Sequence, residues 1–113
     1  MSKIKSAQGP GAVVLGAPLV ADHPLYPVLI EAIQQAMFGK GERHGGTTIP
    51  FIEQPWLHYA KMHGRGFLTG QAAKKLEEAA STRNGEAFLQ EIRGAIVYLG
   101  MAILHEQMEN SDK

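Results

Sequence analysis

Residues 86–108 read EAFLQEIRGAIVYLGMAILHEQM, and this stretch decides the fold class. Phe88, Leu89, Ile92, Ile96, Leu99 and Ile103 recur at three- and four-residue steps, the period of an α-helix. Val97, Met101 and Leu104 fill much of the remaining circumference. A helix that is apolar on nearly every side must be covered on most sides. Gly94, Ala95, Gly100 and Ala102 leave room for another backbone to approach. Three shorter helices supply little surface to surround it, so a partner subunit is the expected cover.

Working back from this helix, Ser81-Thr82-Arg83-Asn84-Gly85 is a turn. Thr69 is read as the N-cap of a helix running to Ala80, with Ala72, Ala73, Leu76, Ala79 and Ala80 as its apolar stripe. Gln71, Lys74, Lys75 and Glu78 are assigned to its opposite side. Gly64-Arg65-Gly66 breaks the chain ahead of it, and a short helix from Gln54 or Pro55 to His63 comes before that break. The first helix is predicted to begin near His23-Pro24, with Asp22 as N-cap and Leu25, Leu29, Ile33 and Met37 on its apolar face. Its stop is Gly39-Lys40-Gly41. Residues 39–56 form a long connection, of the kind that more often carries function than idles.

The expected architecture is all-α: a compact bundle of about four helices with a long central loop. Residues 1–22 are read as an extended or disordered N-terminal arm, and 23–113 as the helical domain. Oligomerisation is expected. The chain has 113 residues, a formal net charge of zero and no cysteine. That composition excludes disulfides, thiolate catalysis and cysteine zinc sites, and it argues against a nucleic-acid-coating protein. No apolar run approaches the ~20 residues of a membrane span, so no membrane association and a cytoplasmic location are expected.

Seven of the thirteen glycines and three of the five histidines fall between Gly39 and Gly70. Glycine is unfavourable inside helices, so this clustering marks loops with special backbone or close ligand approach. In His63-Gly64-Arg65-Gly66-Phe67-Leu68-Thr69-Gly70-Gln71, a glycine-rich turn feeds a helix start, whose free N–H groups and dipole favour anions. Arg65 would grip a phosphate bidentately, Thr69 would add a hydroxyl, and Lys74 lies one turn further. The alternative is an ordinary helix connection. Arg43 and His44 form a second cluster with Trp56 and Tyr59, and Trp56 either stacks on a base or serves the core. His44, His58 and His63 match no strong metal pattern, and no metal ligands are assigned. Glu91, Tyr98 and His105, seven apart, share a stripe on the last helix. Tyr98 either lines a groove there or buries its ring.

The Arg43-His44-Gly45-Gly46 loop, Lys74-Lys75-Leu76-Glu77-Glu78-Ala79 and Glu91-Ile92-Arg93-Gly94-Ala95-Ile96-Val97-Tyr98-Leu99 together resemble small phage-type relatives of the all-α nucleoside triphosphate pyrophosphohydrolases (MazG-like and dNTP diphosphohydrolase-like proteins). The resemblance covers roughly residues 25–106, in helix order and a few motifs. It implies Mg²⁺ held by ExxE and ExxD motifs, which would use Glu77, Glu78 and Glu91. Two acids of that set are absent: the second acid of the first motif falls on Ala80 or Ser81, and the Asp of the second on Gly94. The implied functions are a Mg²⁺-dependent pyrophosphohydrolase or a catalytically silent protein that sequesters a nucleotide. Arg43, His44, Trp56, Arg65, Thr69, Lys74 and Tyr98 are the expected ligand contacts. The alternative from another class is a helical protein–protein interaction module without a small-molecule ligand.

Overall fold

The computed structural model describes residues 19–38 and 46–111. Within them the chain forms four α-helices and no strand: α1 (Leu25–Met37), α2 (Pro55–His63), α3 (Arg65–Ser81) and α4 (Gly85–Ser111). Single 3-10 turns at Val20–Asp22 and Phe51–Glu53 precede α1 and α2. Most of the N-terminal arm, and Arg43 and His44, lie outside the described residues.

Helix α4 is the spine, about 40 Å long at the α-helical rise. Asn84 starts it: its Oδ1 accepts hydrogen bonds from the Glu86 and Ala87 amides at 2.8 and 3.0 Å, satisfying two of the amides that a helix start leaves without partners. Helix α3 packs along α4, α1 lies on another flank of α4, and α2 closes one end of the assembly against α3. Trp56, Leu57, Ala60 and Leu68 form the buried core, with Phe51, Phe67, Tyr98, Met101 and Leu104 packed around it. Leu68 is the largest side chain with no exposure at all. Buried Gln54 donates from Nε2 to the Gly46 and Ile49 carbonyls at 3.2 and 2.9 Å, which ties the turn ahead of α2 to the core.

Three expectations are corrected. Asp22 does not cap α1. It belongs to the 3-10 turn, and the His23 ring accepts the Leu25 amide through Nδ1 at 3.1 Å instead. Thr69 is no cap either, because α3 starts four residues earlier, at Arg65. Gly64 makes the break alone: at φ 80° and ψ −168° it ends α2 and begins α3. The Thr69 hydroxyl, now inside the helix, donates back to the Arg65 carbonyl at 3.3 Å, as helical threonines do.

The third correction concerns the face α3 turns inward. Leu68, Ala72 and Ala79 are buried, whereas Leu76 is about half exposed. Lys75 continues the buried 68–72–79 row, so it faces α4 rather than solvent. Helix α4 is covered by the other helices on only part of its surface: just Ala95 and His105 are buried, while Phe88, Leu89, Leu99 and Ile103 are exposed. Gly85–Ser111 is also long and apolar enough to cross a membrane. The buried core helix of a soluble protein passes the same test, so length and composition alone do not place α4 in a membrane.

Candidate functional site

Half of the chain's eight aromatic residues lie between Phe51 and Phe67, and the fold gathers them around one cavity. It has a volume of about 280 Å³ and opens between α1, the Phe51–Pro55 segment, α2, α3 and α4. Phe51, Trp56, Tyr59 and Phe67 form its aromatic wall, and α4 contributes Tyr98 from the far side. The rings brace one another: Phe51 and Trp56 have centroids 5.3 Å apart, and Tyr59 and Phe67 5.8 Å, both tilted. The Trp56 indole N–H donates to the Phe51 carbonyl at 2.7 Å. Its hydrogen-bonding capacity is therefore spent, and the ring meets the cavity only as an apolar surface.

Besides the Tyr59 and Tyr98 hydroxyls, the cavity's polar groups are Gln35, Gln54, Gln71 and Lys75. Gln54 is committed to the turn described above, and Gln35 donates from Nε2 to the Gln90 carbonyl at 2.9 Å. Lys75 is the cation on the wall. Its ammonium is 3.3 Å from Glu91 and 4.0 Å from Glu78. Its stem runs across Gly94, where a Cβ would come within 3.3 Å of the Lys75 Cδ. Gly94 therefore makes room for a lysine stem.

The expected contacts separate into two places. Trp56 and Tyr98 meet at the aromatic cavity. Arg65 and Thr69 lie on a different hollow of about 250 Å³, beside Leu68, His105 and Glu106. There Arg65 is already held bidentately, from Nε and Nη2, by the Glu106 carboxylate at 2.9 and 2.7 Å. The hydrogen bond, and then the charge, of Glu106 push the guanidinium's pKa up. An anion at this hollow has to compete with a carboxylate. Lys74 is exposed on α3 and lines neither hollow.

The acids do not assemble into a metal centre. Among the described residues no group of three His, Asp or Glu side chains lies close enough to hold an ion. Glu77 is exposed, and Lys75 occupies the space between Glu78 and Glu91. Sequence reasoning passed over Phe51, Phe67, Gln71 and Lys75. The density of aromatic residues from 51 to 67 was the available signal for the first two. For Lys75 there was none, because the helical period placed it on the outer side. No family model matches this chain, and no curated protein or solved structure matches it either.

Proposed function

We propose that this protein is a non-catalytic binder of a nucleotide, taking the base into the aromatic cavity and meeting one phosphate with Lys75. The observation that carries this reading is the convergence of Trp56, Tyr59, Phe67 and Tyr98 on one hollow beside a single ammonium group. Stacking on such rings contributes roughly 1–3 kcal/mol per base and tolerates different bases. The Gln71 amide offers both a donor and an acceptor to a base edge. At about 280 Å³ the cavity falls just below the ~300–1,000 Å³ typical of ligand sites. It suits a base and sugar better than an enclosed triphosphate. Lys75 already faces two carboxylates, so a phosphate there competes with Glu91 and Glu78, as one at Arg65 competes with Glu106.

The same lysine favours binding over hydrolysis. A Mg²⁺ ion needs several oxygens in near-octahedral array. Glu78 and Glu91 reach such an ion only if the ammonium between them leaves. A Mg²⁺-dependent hydrolase through Glu77, Glu78 and Glu91 therefore requires a rearranged α3–α4 seam.

The test is a titration with nucleoside monophosphates and the matching nucleosides, followed by fluorescence of Trp56, the sole tryptophan. Stacking against the cavity wall changes that emission. In Lys75→Met, monophosphate affinity should fall about 10- to 100-fold, the equivalent of a charge-assisted hydrogen bond. Nucleoside affinity should hold. No binding of any member overturns the reading, and release of pyrophosphate from a triphosphate with Mg²⁺ replaces it with hydrolysis. A second reading, a protein-interaction module, is favoured by a separate observation: the uncovered apolar side of α1 and α4.

A further inference from the structure

A second, larger cleft of about 700 Å³ runs between α1 and α4, floored in part by Ala32, Ala36 and Gly100. Its walls are aliphatic. Leu29, Ile33, Met37, Ile49 and Ile103 are each between 36% and 60% exposed. Neither α1 from Ala32 to Met37 nor α4 from Gly94 to Leu104 carries a charged residue. These five side chains present roughly 400 Å² of apolar surface, already within the ~300–600 Å² of the largest patch on a typical monomer. Half-buried Ile96, Val97, Met101 and Leu104 raise it to roughly 550 Å². A standard interface takes about 800 Å² from each partner, and about 65% of that is apolar in homodimers, or ~500 Å². Counted over all their faces, the side chains in and around the cleft offer what one copy contributes to a dimer.

We infer that a second copy of this chain closes the cleft, with the two α4 helices crossing antiparallel about Gly100. Arg93, Ile96, Gly100, Ile103 and Gln107 follow one another at helical spacing and form a single stripe on α4. A two-fold axis at Gly100 sets Ile96 against Leu104 and Val97 against Ile103. Arg93 then meets Gln107, so no like charges oppose on the stripe, and the helix dipoles run antiparallel. Gly100 is exposed, and a Cβ built on it meets nothing within 4 Å, so the closest approach falls on the residue that permits it. Such an interface is isologous, each copy giving the same ridge and receiving it in the same groove. The inference does not rest on the nucleotide reading: the cleft and the aromatic cavity are neighbouring hollows with Ala36, Phe51, Val97 and Met101 as their common wall, and the cleft's own residues carry the argument.

Light scattering on the full chain gives the first test. The expected mass is twice the 12.3 kDa of one chain, and Ile103→Glu should halve it while the helical circular dichroism stays. Because the protein has no cysteine, Gly100→Cys places one thiol per chain on the two-fold axis. It should give a disulfide-linked dimer under mild oxidation, and Lys74→Cys, exposed on α3 and outside the cleft, should not. A monomeric wild type overturns the inference, as does a dimer that fails to cross-link through Gly100→Cys. A monomer that dimerises only after residues 1–18 are deleted assigns the cleft to that segment instead. Co-sedimentation with phosphatidylcholine vesicles that Ile103→Glu abolishes assigns it to lipid and likewise overturns the inference. The cross-link keeps the test decisive if Ile103→Glu does not fold.

Discussion

Two glycines only two positions apart should respond to alanine with opposite signs. Gly64 sits at φ 80° and ψ −168°, a backbone region in which an L side chain is strained. Holding a non-glycine residue there costs about 1–3 kcal/mol. No neighbouring atom lies within 4 Å of a Cβ at this site, so the cost is backbone strain and not a clash. Gly66 is the second residue of α3, and a Cβ there also meets nothing within 4 Å. Alanine at an unobstructed helix position gains about 0.5–1 kcal/mol over glycine. For a domain of this size a kilocalorie moves the melting temperature by about 4 °C. Gly64→Ala should therefore lower it by about 4–12 °C, and Gly66→Ala should raise it by about 2–4 °C. The assay is thermal and urea unfolding by circular dichroism, at one protein concentration because melting of a self-associating chain depends on concentration. If α2 and α3 were one continuous helix, Gly64 would be an ordinary helical glycine and alanine would stabilise it. A rise in melting temperature for Gly64→Ala refutes the broken-helix arrangement, and with it the angle at which α2 presents Trp56 and Tyr59.

Leu68→Ala removes the largest side chain with no exposure, and should cost about 3–5 kcal/mol in urea unfolding. Asn84→Ala deletes the cap that holds two α4 amides. It should cost about 1 kcal/mol, with Asn84→Asp close to neutral by the same measurement. Gly94→Ala brings a methyl group against the Lys75 stem. Its stability should change by less than about 1 kcal/mol, since helix propensity offsets the crowding. Monophosphate affinity in the Trp56 titration should fall, because the ammonium is displaced.

Much of the fold was legible in the chain. The 3.6-residue period of Leu25, Leu29, Ile33 and Met37, and that of Phe88 through Ile103, marked α1 and α4, since local spacing alone dictates which residues share a helix face. Gly64 marked the α2–α3 break, because few other residues adopt its backbone angles. Asn84 belonged to the predicted turn and proved to be the cap. The start of α3 was misplaced because Thr69 carries cap chemistry that the local backbone does not use. Arg65 and Thr69 were expected at one phosphate site. They are neighbours, but α4 brings Glu106 against Arg65, a pairing across 41 residues that no local pattern contains.

By itself, the sequence determined that the described residues are helical and where the helices divide, because periodicity, glycine angles and capping are properties of a few neighbouring residues. It also determined that α4 carries more apolar surface than three short helices can cover. Only the tertiary structure decided which aromatic residues share a cavity and that Lys75 turns inward across Gly94. It alone decided that the apolar excess of α1 and α4 gathers into one open cleft. Those outcomes depend on how helices distant in sequence rotate and cross, and each rotation is fixed by packing against partners that the local pattern does not name.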